Sequence, residues 1–307
     1  MKYFKISIIL FLLTSSIVAQ TANTEAQLLY KNGMTAYKNG MYKEALVYYD
    51  KAIALDSFFS TGYLDRGNVK VQLADYNGAI QDYEATIRLD PKYERAYYNR
   101  GFTRTKVSDF YGAIADYTIA MHFNKNYELY YLSRGEAYYE SGKYKEAIKD
   151  FTKAIALYPE YERAFFKRGV VYQLIGEYNA AITDYSTAIK LDYKPADKHY
   201  RRGVVYTLLS KYDAAIEDLS EAIKIQPDLD DAWFYRGLAK LAKKKYNESI
   251  LDFSTALNLN PKHGNAFINR GSAFFNLNQK VEACADWQKA KSLKIPAAEE
   301  MMVKYCK

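Results

Sequence analysis

The chain has 307 residues, 49% hydrophobic and 26% charged, a globular balance that excludes a disordered charged polymer. Its formal charge is +7, or +5 once Lys2 and Lys5 are set aside, and no block of like charge is long enough for a nucleic-acid tail. Tyrosine is the anomaly, with 32 copies against 15 Phe and 2 Trp, which points to one pattern written many times.

The first twenty residues differ from the rest. Lys2 and Lys5 open a short basic start, Ile6 to Leu13 is almost wholly apolar, and Thr14-Ser15-Ser16 ends the run before Ile17-Val18-Ala19. This layout predicts a secretory signal peptide over 1–19, cleaved after Ala19. The apolar run is about half the roughly 20 residues of a membrane-spanning helix. An uncleaved anchor is the alternative reading, and no Cys follows the run to carry a lipid. Residues 20–25 then form a short lead-in. The expected location is the periplasm or outside the cell, in a Gram-negative bacterium.

From residue 26 onward one period governs the chain. Gly33, Gly67, Gly101, Gly135, Gly169, Gly203, Gly237 and Gly271 recur at a spacing of 34. With this Gly in slot 8 of a 34-residue frame, the repeats are 26–59, 60–93, 94–127, 128–161, 162–195, 196–229, 230–263 and 264–297. Slot 17 is aromatic from Tyr42 to Tyr246, then Lys280. Slot 20 is Ala, with Ser249 the exception. Slot 24 holds Tyr49, Tyr83, Tyr117, Phe151, Tyr185, Leu219, Phe253 and Trp287. Slot 27 is Ala except for Thr86, and slot 32 carries Pro91, Pro159, Pro227 and Pro261. Slots 4, 8 and 11 and slots 20, 24 and 27 recur at helical spacing, so each repeat reads as two amphipathic helices, over slots 1–14 and 15–29. One such hairpin cannot bury its own apolar face, and stacking copies makes a continuous core. The proline, with no N–H to donate, punctuates the link.

This pattern resembles the tetratricopeptide repeat. The resemblance implies an all-α fold, a right-handed α-solenoid of helical hairpins closed by a C-terminal capping helix over 297–307. It also implies a non-enzymatic scaffold whose first helices line a concave groove for a partner's peptide. On that basis slots 2, 5, 6, 9 and 12 are groove positions. The candidates are Tyr30, Tyr37, Tyr98, Phe102, Tyr139, Arg163, Phe166, Tyr200, Arg201 and Phe234, an apolar and aromatic lining edged with positive charge. An apolar peptide with some acidic residues suits it. The competing reading packs these rings against neighbouring repeats. No repeat has Lys in slot 5, so the carboxylate clamp of the family's chaperone adaptors is not expected.

Two further combs stand out. Slot 7 is Arg66, Arg100, Arg134, Arg168, Arg202, Arg236 and Arg270, and slot 23 is Asp82, Asp116, Asp150, Asp184, Asp218, Asp252 and Asp286. Repeat one lacks both, with Asn32 and Tyr48 in their places. Both slots point inward, so the expectation is one structural Arg–Asp pair within each of repeats two to eight. The alternative is an arginine ladder gripping an anion. Cys284 and Cys306 lie 11 residues either side of Ile295, so two antiparallel helices would bring them level, as a disulfide in an oxidising compartment.

No catalytic constellation is present: His122, His199 and His263 occupy slots 29, 4 and 34, and no phosphate loop or nucleophile motif appears. No cofactor, metal, small-molecule substrate or nucleic-acid partner is expected. The expected partner is a protein or peptide, with membrane contact only through an envelope complex. Two other roles fit the sequence: a structural subunit of an envelope secretion or assembly complex, and a periplasmic holdase-like chaperone.

Overall fold

The computed structural model describes residues 24–192 and 194–306, and every described element is helical. The expected leader, 1–19, lies outside the described residues. The chain divides into two compact units, one ending at Tyr158 and one beginning at Pro159. The first holds α1 (24–38), α2 (Tyr42–Leu55), α3 (Ser60–Gln72), α4 (Tyr76–Leu89), α5 (Glu94–Lys106), α6 (Phe110–Phe123), α7 (Glu128–Glu140) and α8 (Tyr144–Leu157). The second holds α9 (Glu162–Leu174), α10 (Tyr178–Leu191), α11 (Ala196–Leu208), α12 (Tyr212–Ile225), α13 (Asp230–Ala242), α14 (Tyr246–Leu259), α15 (Gly264–Asn276), α16 (Lys280–Ser292) and α17 (Pro296–Tyr305). Consecutive helices pair as hairpins, and within each unit each hairpin packs on the next.

The second helix of each hairpin starts at slot 17, not slot 15 as the periodicity suggests. Slot 15 takes a left-handed backbone in every hairpin. It is Gly40, Gly142 and Gly176 in three of them, and Ala74, Ser108, Ser210, Lys244 and Asn278 in the others. The N–H of slot 16 then bonds back to the carbonyl of slot 11, as in Asp75 to Lys70 at 2.8 Å and Lys245 to Lys240 at 2.9 Å. That bond satisfies a helix-end carbonyl and reverses the chain.

The slot 8 glycine is explained by the ring opposite it. A Cβ at Gly67 would sit 2.7 Å from the Tyr83 ring, one at Gly135 2.7 Å from Phe151, and one at Gly271 2.6 Å from Trp287 Nε1. The slot 24 side chain therefore lies directly on the first helix's backbone, and the Ala of slots 20 and 27 is buried around it. Between hairpins, slot 4 side chains hold the link: Tyr97 Oη donates to the Pro91 carbonyl, Tyr131 Oη to that of Lys125 and Trp233 Nε1 to that of Pro227, at 3.1, 3.1 and 2.8 Å. At the C-terminal end α17 stands where another first helix would. Tyr305 packs on Phe275 and Trp287, Ala298 is fully buried, and Cys284 is bonded to Cys306 with their Cα atoms 5.7 Å apart.

Candidate functional site

The inward charges decide what is left for a ligand. In all seven hairpins that carry the pair, the slot 7 guanidinium donates Nε and Nη2 to both oxygens of the slot 23 carboxylate of the same hairpin. Arg134 bonds Asp150 at 2.7 and 2.8 Å and Arg270 bonds Asp286 at 2.8 and 2.7 Å. The same bidentate geometry joins Arg66 to Asp82, Arg100 to Asp116, Arg168 to Asp184, Arg202 to Asp218 and Arg236 to Asp252. Every one of these carboxylates is buried. Burial opposes the charge on Arg66, Arg100, Arg134 and Arg168, but the carboxylate beside each outweighs it and holds the guanidinium above its ordinary range. These arginines are spent on internal pairs.

Six of the seven arginines also have a third contact that sequence reasoning missed. Nη1 reaches back to slot 25 of the preceding hairpin: Arg66 to Asp50, Arg134 to Thr118, Arg202 to Ser186, Arg236 to Ser220 and Arg270 to Ser254, at 2.7–3.0 Å. Arg100 approaches Glu84 at 3.8 Å. The comb is thus a set of staples between hairpins as well as within them. The signal was present: slot 25 carries an oxygen-bearing side chain in every repeat.

Slot 11 decides the rest of the pocket around each pair. Lys70, Arg104 and Lys240 add a second cation to Asp82, Asp116 and Asp252, each at 2.8 Å. Where slot 11 is aromatic, the guanidinium lies against the ring instead: Arg134 on Tyr138, Arg168 on Tyr172, Arg202 on Tyr206 and Arg270 on Phe274, 5.6–5.9 Å from the centroids. His199, in slot 4, turns Nδ1 to Asp218 at 2.9 Å. Asp218 is buried, yet Arg202 and His199 draw its carboxyl below the usual aspartate value.

The groove stripe of the first unit is open. Two clefts run along it, one of about 340 Å³ lined by Met34, Tyr37, Lys38, Tyr49, Asp65 and Asn68. The next, of about 540 Å³, shares Tyr37 and Asn68 and extends to Tyr98, Asn99 and Phe102. Asn68 is the hub: its Oδ1 accepts from Tyr83 Oη and Asn99 Nδ2, both at 2.9 Å, and its Nδ2 donates to Asp65 at 3.2 Å. Tyr37 packs at a tilt against Tyr42 and Tyr139 against Tyr144, so each ring is braced from the second helix. Phe102 is 40% exposed, with the Lys106 ammonium over its face. Tyr30 and Tyr98 lie deeper, half-buried: Tyr30 packs on Tyr49 and Phe59, Tyr98 on Tyr117 and Tyr130.

The second unit carries five of the expected stripe residues, Arg163, Phe166, Tyr200, Arg201 and Phe234. Phe166 packs on Tyr185 beneath two cations, Lys198 at 4.9 Å and Arg201 at 5.7 Å. Lys198 is a buried lysine that the sequence did not single out. Its ammonium meets Asp192 at 2.7 Å and both Glu162 and Asp197 at 3.1 Å. Burial opposes its charge, but these carboxylates outweigh it and hold the ammonium above the ordinary lysine range. Tyr200 meets Tyr235 edge-on, and Arg163 is exposed. Phe234 corrects the expectation. It is only 8% exposed, held among Phe253, Tyr235 and the His263 ring, 4.4 Å away, and belongs to the core between hairpins. His263 itself caps α15, and His122 is exposed. Among the described residues no group of His, Cys, Asp and Glu is placed to hold a metal.

Family models of the TPR repeat match residues 67–107, 135–176 and 174–210, and tetratricopeptide-repeat models match 26–58, 196–229 and 230–263. The chain belongs to the tetratricopeptide repeat family. As such it is a helical scaffold for protein–protein interaction. Among solved structures, the MamA protein is 30% identical, with 55% of this chain and 92% of that one covered and a TM-score of 0.52. YrrB, described as a TPR protein with an unusual peptide-binding site, is 21% identical over 61% of this chain and 97% of its own, TM-score 0.55. The C-terminal part of a TPR repeat-containing protein from Cytophaga hutchinsonii is 15% identical, over 77% of this chain and 98% of its own, with a TM-score of 0.65. The last two likenesses are of fold. Among curated proteins no sequence matches the chain.

Proposed function

We propose that the protein is a non-enzymatic adaptor of the bacterial cell envelope that holds a peptide segment of a partner protein along the first-helix stripe. The observation that carries this is the pair of adjoining open clefts at Tyr37, Asn68 and Phe102. They place braced aromatic rings beside side-chain amides, which is how a peptide's apolar side chains and backbone groups are both met. The interior charges, by contrast, are paired and buried, so they offer a ligand nothing. The envelope location rests on the leader pattern of 1–19. No described helix is long and apolar enough to cross a membrane.

A second reading, a structural subunit held by its outer surface, is favoured by exposed apolar side chains on the second helices: Val47, Tyr111, Leu251 and Val281, at 50%, 65%, 67% and 81% exposure. One experiment separates the two. Partners are crosslinked and captured from the protein's own envelope fraction, beside a Tyr37→Ala/Phe102→Ala variant. Loss of the captured partners supports the groove. Full retention overturns it and hands the role to the outer surface.

A further inference from the structure

Nine of the aspartates described above differ in one respect from a tenth. The interior comb aspartates each hold an arginine, and Asp192 and Asp197 share Lys198. Asp65, in slot 6 of α3, faces the groove and pairs with no cationic side chain among the described residues. Its two contacts are neutral: Tyr30 Oη donates to Oδ2 at 2.6 Å and Asn68 Nδ2 to Oδ1 at 3.2 Å. A carboxylate offers about four acceptor positions, so two remain open toward the cleft. Burial and this hydrogen bond keep the Tyr30 hydroxyl protonated well above the ordinary tyrosine range, so it stays a donor to Asp65.

The walls match the charge. The cleft of about 340 Å³ that Asp65 lines is otherwise bounded by the rings of Tyr37 and Tyr49, the Met34 thioether, the Asn68 amide and Lys38. Aromatic faces attract a cation electrostatically, and more strongly when it is partly desolvated. A carboxylate behind them supplies charge-assisted hydrogen bonds, which are shorter and stronger than neutral ones. The Lys38 side chain is exposed at the rim and makes no pair with Asp65. Of the groups lining this cleft it alone is positive, and it competes with an incoming cation without filling the site.

We infer that the cleft between the first two hairpins is a subsite for a basic side chain, arginine or lysine, of the peptide held in the groove. This deepens the adaptor reading and rests on it. It also revises the expected ligand: at this end of the first unit the anchor is basic, although the sequence alone suggested acidic residues.

The test uses the leaderless protein, labelled with ¹⁵N, and blocked single residues as probes: the N-acetyl methylamides of arginine, lysine, glutamine and glutamate. The expected result is saturable shifts of the Tyr37, Asp65 and Asn68 amide signals with the arginine and lysine probes only. Binding should weaken at least tenfold in Asp65→Asn, which removes the charge but keeps the side chain's size and one acceptor oxygen for the Tyr30 hydroxyl. It should tighten severalfold in Lys38→Gln. Equal shifts with the glutamine probe, or unchanged binding in Asp65→Asn, would overturn the subsite. Failure of the groove reading is distinguishable, because it is scored by partner capture with Tyr37→Ala/Phe102→Ala. A chain that loses its partners in that variant but ignores the arginine probe keeps the groove and loses the basic subsite.

Discussion

Asp82 and Asp65 stand in the same hairpin and have opposite fates. Asp82 lies between the helices, 3% exposed, with Arg66 and Lys70 on its oxygens. Asp65 faces the groove with only a tyrosine and an asparagine beside it. The difference teaches that this fold has two uses for charge. On the inner face charge is neutralised in place and joins hairpins. On the groove face it is displayed, and a partner must complete it. Removing an inner charge should therefore damage the fold, and removing a displayed one should damage only binding.

The broadest way to break that contrast is alkaline pH. Burial pushes the hydroxyls of Tyr49, Tyr83 and Tyr117 well above the usual tyrosine value, and Tyr130 and Tyr200 follow for the same leading reason. A group whose folded pKa is raised contributes stability that is complete below its unfolded value, about 10, and is lost as pH rises past it. Cooperative unfolding is expected above that pH, followed by circular dichroism alongside tyrosinate absorbance. Tyrosines ionising at their ordinary pH while the helices persist would contradict it.

Next in size is the inner pair itself. Asp150→Ala leaves Arg134 half-buried without its partner and is expected to cost about 3–5 kcal/mol. Combining it with Arg134→Met should recover much of that loss in a denaturant titration. Asp65→Asn in the same assay is expected to change stability by less than about 0.5 kcal/mol. A single Asp150 variant as stable as the parent would remove the distinction between the two faces.

The C-terminal end gives an intermediate effect. The disulfide joins residues 22 apart, and a cross-link of this kind typically contributes about 2–4 kcal/mol. Cys306→Ser is expected to raise amide exchange first in α17, at Met301 to Tyr305, and only then in α15 and α16. Exchange rising equally throughout the second unit would show that α17 is no separate cap. The smallest effect belongs to the turns. Lys244 holds a left-handed backbone at φ 61°, a conformation that costs a side chain about 1–2 kcal/mol. Lys244→Gly should therefore stabilise by about 1 kcal/mol, read as a rise in Tm; Gly142→Ala, where the backbone is equally left-handed at φ 76°, should move it the other way.

What the sequence determined by itself is the part that repetition makes audible. Gly in slot 8, Ala in slots 20 and 27 and a ring in slot 24 recur because each hairpin solves the same close-packing problem, so eight copies reveal one solution. The residues of the Arg–Asp comb were legible for the same reason, since each arginine comes with its own aspartate 16 positions on. What only the tertiary structure decided is whatever depends on the neighbouring hairpin. Phe166 and Phe234 share slot 5, yet Phe234 is covered by the His263 ring while Pro195 occupies the matching position after Phe166. The reach of six of the arginines to slot 25 of the hairpin before them, and the missing cation at Asp65, are likewise set by how close successive hairpins stand. A one-dimensional pattern carries the period of the contacts inside a hairpin, but not the distances between side chains brought together by stacking.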